Sequence, residues 1–174
     1  TLKSHSSLGV LAYAQGNLEE ALEHMNFVAE ARLEKLGKQH ILTAEAFNRL
    51  GAIYYEKGDY EQAQQKLMLA KETYINLGLD SSLKYAKTLN NLGLVERQKK
   101  LYKQAEKTFL EALKIEIQTL GKNHDDVAAM NNNLGMVAAD LGEINKALQL
   151  FKKAHSIMLK NNGEENVNLG FSMT

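Results

Sequence analysis

The sequence contains no cysteine, so no disulfide, thiolate nucleophile or thiolate metal ligand can belong to it. It has no net charge either: 21 Lys and Arg balance 21 Asp and Glu, which removes the usual electrostatic case for binding nucleic acid or an anionic membrane. No apolar run approaches the roughly 18 residues of a membrane span, and the N-terminus has no signal-peptide pattern. The expected setting is the cytoplasm, without a nucleic-acid or membrane partner. A Gly-rich phosphate loop and a Walker pattern are also missing. The histidines His5, His24, His40, His124 and His155 share no helical turn, so the expectation is no metal site and no cofactor.

What is present is repetition. Leu8-Gly9, Leu50-Gly51, Leu92-Gly93 and Leu134-Gly135 stand 42 residues apart, and a constant period of that length marks a solenoid or array. An alanine twelve residues after each glycine recurs as Ala21, Ala63, Ala105 and Ala147, and a large apolar residue four further on as Met25, Leu67, Phe109 and Phe151. Each unit carries two amphipathic stretches. In the second, Ala44 to Glu56 has Phe47, Leu50, Ile53 and Tyr54 at helical spacing, and Tyr60 to Ile75 has Ala63, Leu67, Ala70 and Tyr74. Lys57-Gly58-Asp59 lies between them, matched by Gln15-Gly16-Asn17 and Leu141-Gly142-Glu143; such a glycine takes the left-handed backbone that ends one helix before the next begins. In the third unit Lys100 takes its place. The unit is a helix-turn-helix hairpin.

A glycine within a helix costs about 1 kcal/mol against alanine, so the recurring Leu-Gly glycine needs a packing reason. The expected one is close approach of the two helices, with the small face of Ala105 against Gly93. The period divides the chain into units 1–42, 43–84, 85–126 and 127–168, forming one continuous domain over 1–174. Leu169 to Thr174 would open a fifth unit cut short, implying a longer parent, or form a capping turn; the first is preferred, since no polar cap of full helix length follows.

Small residues at the crossing, Tyr54 after the Leu-Gly pair, the turn glycine, then Tyr60, Ala63, Leu67 and Ala70 together resemble the tetratricopeptide repeat. The 42-residue unit is similar to the subtype found in kinesin light chains, and so are the connectors Leu36-Gly37-Lys38-Gln39-His40 and Leu120-Gly121-Lys122-Asn123-His124. The family often has proline after the connector histidine and near the end of the second helix, and this chain has none. The resemblance implies an all-α fold: a right-handed α-α superhelix of about four hairpins, with first helices lining a concave groove.

Groove candidates are first-helix residues that the core does not claim. Three before the glycine stand Asn48, Asn90 and Asn132, and two before it Arg49, Asn91 and Asn133. Lys87 lies one turn earlier; Leu94 and Met136 follow the glycine; Tyr13, Tyr55 and Arg97 come a turn later. An amide offers both a donor and an acceptor to an extended backbone, and arginine adds attraction for acidic side chains. By resemblance, Asn91 with Lys87, and Asn133, match positions that touch cargo peptide in kinesin light chains. The competing reading has the asparagines bonding between adjacent repeats; it weighs about equally for Asn48, Asn90 and Asn132 and less for Asn91 and Asn133. Tyr54 and Tyr60 fit the core instead, and His40 and His124 fit helix starts.

Repetition places similar residues on every rung and is poor at assembling one asymmetric catalytic cluster, so no enzyme is expected. The leading expectation is a protein-interaction scaffold holding an extended peptide segment of a partner. The alternatives are a structural spacer or self-association module, with homo-oligomers formed through open repeat ends, and the regulatory part of an enzyme or sensor.

Overall fold

The computed structural model describes residues 1–162 and contains eight helices there. They are α1 (Leu2–Ala14), α2 (Leu18–Leu36), α3 (Ile41–Glu56), α4 (Tyr60–Asn76), α5 (Leu83–Gln98), α6 (Tyr102–Leu120), α7 (Asp125–Asp140) and α8 (Ile144–Asn162). Consecutive helices pair as four hairpins, and the second helix of each packs on the first helix of the next. The all-α repeat fold is therefore as the period predicts. The proposed fifth-unit start at Leu169 to Thr174 lies outside the described residues.

Local chemistry explains where the helices begin and end. Asn17, Asp59 and Ser82 accept hydrogen bonds from the backbone N–H of Glu20, Gln62 and Tyr85, satisfying donors that a helix start leaves free. His40 and His124 cap in the same way: each Nδ1 accepts from the N–H two residues on, at 3.1 Å. Because these caps precede the helices, the arithmetic boundaries at Thr43, Tyr85 and Val127 fall inside α3, α5 and α7. The turns end on left-handed residues, with φ of 76° at Gly16, 81° at Gly58 and 78° at Gly142. Lys100 adopts the same conformation at φ 61° despite its Cβ, and the following Leu101 makes no side-chain cap. The third turn keeps its shape without its usual residues.

The recurring helix glycine has a nearer neighbour than the alanine expected, although at Gly51 the Ala63 carbonyl oxygen also stands 3.3 Å from an added Cβ. A Cβ on Gly93 would stand 2.7 Å from the Phe109 ring, one on Gly135 2.6 Å from Phe151, and one on Gly51 2.5 Å from Leu67. The glycine therefore makes room for the large apolar residue, while Ala105 fills the buried core beside it. A fully buried ring cannot step aside, and interiors packed this densely have no spare volume for it.

The stack is held as one body by its core, which runs from Ala12 through Met25, Leu50, Tyr74, Phe109 and Leu134 to Ile157. First helices touch one another across hairpins, α3 with α5 and α5 with α7, and no two second helices make comparable contact among the described residues. The inner side of the curve is therefore the side of α1, α3, α5 and α7. At the α1 end Leu8 and Leu11 are 44% and 54% exposed. Their register equivalents Leu50, Ile53, Leu92, Val95, Leu134 and Val137 are buried, since in each of those hairpins the preceding second helix covers them.

Candidate interaction groove

Neighbouring first helices are joined by side-chain bonds that share one spacing. Asn91 Nδ2 donates to Asn48 Oδ1 at 3.2 Å and Asn133 Nδ2 to Asn90 Oδ1 at 2.8 Å, each pair 43 residues apart. Gln98 Nε2 donates to the Tyr55 hydroxyl at 3.3 Å and Arg97 Nε to Asp140 Oδ2 at 2.5 Å, again across 43 residues. Packing one hairpin on the next slips their first helices by one residue relative to the 42-residue period. The asparagine that stands two before a glycine thus meets the one that stands three before the previous glycine.

This sorts the groove candidates. Asn48, Asn90, Asn91 and Asn133 hold hairpins together, as the competing reading has it, and are half-buried. Asn91 and Asn133 still keep their Oδ1 acceptors without a partner among the described residues. Arg97 is committed to Asp140, and Tyr55 is half-buried with its hydroxyl used. Tyr13 remains partly exposed, and its hydroxyl is held above its ordinary pKa by burial and then by Glu56 of the next first helix. Leu94 and Met136 are half-buried. Asn132, Arg49 and Lys87 are exposed and bond to no other side chain among the described residues.

Two concavities lie side by side on this surface. Between α1 and α3 a pocket of about 100 Å³ is lined by Val10, Tyr13, Ala52 and Ile53, with Gly9 and Met25 beneath and Arg49 at its edge. Between α3 and α5 a larger one, about 460 Å³, is lined by Glu45, Asn48, Arg49, Tyr74, Lys84 and Lys87. Lys84 is paired with Glu45, so the cations left to a ligand here are Arg49, shared by both pockets, and Lys87. An apolar recess beside a cationic, amide-lined one can accept an extended segment that alternates an aliphatic side chain with an acidic one. Tyr74, at the base of the larger pocket, has its hydroxyl pushed up to about 12 by burial and then by Glu45, and stays neutral.

Away from the groove, His5 and His24 meet across the first hairpin with their Nδ1 atoms 3.1 Å apart, and the His5 ring lies on Phe27. Among the described residues no group of three or more His, Asp or Glu side chains is arranged to hold a metal ion. No helix there is long and apolar enough to cross a membrane.

The repeated hairpins with their shared register agree with comparison to known families. The tetratricopeptide repeat family model matches residues 1–76 and 84–160. The chain belongs to the tetratricopeptide repeat family. Among solved structures this tetratricopeptide array is similar to BtubC (BKLC) of P. vanneervenii, with 24% identity, a TM-score of 0.82, and coverage of 94% of this chain and 65% of that one. It is similar also to a kinesin light chain-like protein of Podosopora anserina with nearly identical TPR-like repeats, at 18% identity, TM-score 0.83, and coverage of 97% and 81%. A Rap protein complexed with Competence and Sporulation Factor aligns at 21% identity and TM-score 0.75, over 94% of this chain and 44% of that one. The array thus spans under half the length of that Rap protein and about two thirds of BtubC. No curated protein sequence matches it. At these identities the structural likeness speaks to the fold alone.

Three buried carboxyl or amide side chains escaped the sequence reading, the first being Glu96, which is 1% exposed and stands 42 residues after Tyr54. Glu116 is buried, at 5% exposure, 42 residues after Tyr74, and Asn131 is buried 42 residues after Leu89. The signal was available: each is a polar residue at a register position that is apolar in the unit before.

Proposed function

We propose that this tetratricopeptide array is a non-enzymatic protein-interaction scaffold that takes an extended segment of a protein partner along the inner face of α1, α3 and α5. The observation that carries the reading is the pair of adjoining recesses that share Arg49, one apolar and one bearing the uncommitted cations Arg49 and Lys87. An aliphatic side chain would occupy the recess at Val10, Tyr13 and Ala52. An acidic group would meet Arg49 and Lys87, and its backbone would bond to the free oxygen of Asn91. Further along, Asn132, Asn133, Leu94 and Met136 would extend the contact. Asn48, Asn90, Tyr55 and Arg97 contribute by keeping the rungs in place. Binding of Competence and Sporulation Factor by a structurally similar Rap protein is compatible with this use of the fold, and no cofactor is required.

Selection of binders from a random-peptide display library tests the reading. Selected peptides are expected to lose at least about tenfold in affinity, or roughly 1.4 kcal/mol, on Arg49→Glu together with Lys87→Glu, with the helical circular dichroism unchanged. Peptides that bind this variant as well as the parent would sink the groove assignment. The exposed Leu8 and Leu11 favour a second reading, in which the α1 end stacks on a further hairpin or on another copy; concentration-dependent light scattering that disappears on Leu11→Glu would support it.

A further inference from the structure

Glu116 sits on α6 at the joint with α7, in register with the Tyr74 that forms the base of the larger groove pocket. It is 5% exposed, and its Oε2 has no hydrogen-bond partner. A carboxylate in that position has lost water without gaining a donor, which favours the neutral acid. The charged groups acting on it come from the two first helices: Asp126 of α7 opposes ionisation and Lys87 of α5 assists it. Lys87 is exposed on the groove side and makes no ion pair among the described residues. Lys87 and Glu116 stand 42 residues after Glu45 and Tyr74, which line one pocket together, so the repeat places this groove cation beside this buried acid.

We propose that Glu116 is a proton-operated switch for the groove: neutral, it leaves Lys87 free at the pocket wall; ionised, it draws the Lys87 ammonium towards itself and takes that cation away from an anionic ligand. Burial first, and then Asp126, push the Glu116 carboxyl up to about 7, so the change falls near neutral pH. Its folded-state value lies above the ordinary carboxylate value. The stabilisation is therefore complete below the ordinary carboxylate range and is lost as pH rises through about 7. In the folded chain Lys87 is freed on acidification and held on alkalinisation. The switch rests on the groove reading only for its use; the charge coupling is a property of the chain alone and is tested without a partner.

The experiment follows the Glu116 carboxyl carbon by NMR through a pH titration. In parallel it measures acetylation of Lys87 relative to Lys114, an exposed lysine on α6, by mass spectrometry at about pH 6 and about pH 8. The expected result is a Glu116 midpoint near neutrality and a Lys87-to-Lys114 ratio that falls at least about twofold over that interval. In Glu116→Gln the ratio stays flat, and in Lys87→Ala the Glu116 midpoint moves higher. If Glu116→Gln does not fold, Glu116→Tyr restores the residue type of the preceding unit and serves the same purpose. A carboxyl that titrates in the ordinary range, or a Lys87 ratio that changes equally with and without Glu116, would overturn the switch. Either result leaves the peptide-selection test untouched.

Discussion

Where α4 meets α5, two aromatic rings close the joint: Tyr74 and Tyr85 pack edge to face with centroids 6.4 Å apart, and the Tyr85 hydroxyl donates to Glu111 at 2.7 Å. Where α6 meets α7, 42 residues further on, the same positions hold Glu116 and Val127. The buried rings are gone, and two buried polar atoms without partners, Glu116 Oε2 and Asn131 Oδ1, take part in the interface instead. Asn131 Nδ2 is satisfied only within its own helix, by the Val127 carbonyl at 2.6 Å. Equivalent backbone positions thus support one joint closed by aromatic area and another that carries unsatisfied polarity. In a solenoid, stability is close to a sum over units and their interfaces. The α6–α7 joint is where the array should open first.

The charged pairs along the outside show the same drift. Lys57 bonds to Glu19 at 2.7 Å and Lys99 to Glu61 at 2.8 Å, a pair that recurs with the period. At the next joint the two positions hold Leu141 and Lys103, so both partners are lost together. Lys103 turns to Glu143 at 3.1 Å. Exposed pairs of this kind contribute little, about 0–1 kcal/mol, and they follow the interface more than they set it.

The largest effect is expected from removing the aromatic closure. Tyr85→Ala should cost about 3–5 kcal/mol, as loss of a buried ring does, whereas Val127→Ala at the same register should cost about 1–2 kcal/mol. Urea unfolding measures both, and equal losses would mean that the two joints are not different in kind. A smaller effect of opposite sign is expected at the polar joint: Asn131→Leu, which installs the residue type of Leu89, should stabilise by about 1–2 kcal/mol because a buried acceptor without a donor is removed. A lower melting temperature for that variant would show that the amide is better satisfied than its surroundings suggest. The smallest change lies at the turn between α5 and α6. Lys100→Gly relieves a left-handed residue that carries a Cβ and should gain about 0.5–1 kcal/mol after the extra freedom of glycine in the unfolded chain is offset. No gain in the urea midpoint would argue that the neighbouring Leu101, rather than Lys100, limits this turn.

Much of the fold was legible because it depends on short-range rules. The hairpins, their turns and the capping roles of His40 and His124 follow from residues within a turn or two of each other; Tyr54 and Tyr60, expected in the core, are half-buried against it. The groove was legible in part. Its rows of Asn, Tyr and Arg were visible, but their division of labour was not. Asn91 was expected to lean towards a ligand and instead spends its Nδ2 on Asn48; Arg97 was expected to face acidic side chains of a partner and faces Asp140 of its own chain. The packing partner of Gly93 was misread for a similar reason: Ala105 is the small residue nearest in the pattern, but the Phe109 ring fills the space.

Sequence alone determined the period, the number of matched units, the turns, and which side of each helix is apolar, since all of these arise from interactions inside one hairpin. Tertiary structure decided the one-residue slip that turns a 42-residue period into bonds across 43 residues. It also decided which groove cations remain free, and that Glu116 is buried beside Asp126 with Lys87 as its opposing charge. Those outcomes depend on how one rigid hairpin seats on the next. Close-packed side chains fix that seating to within a fraction of a residue, and a repeat read along the chain does not carry it.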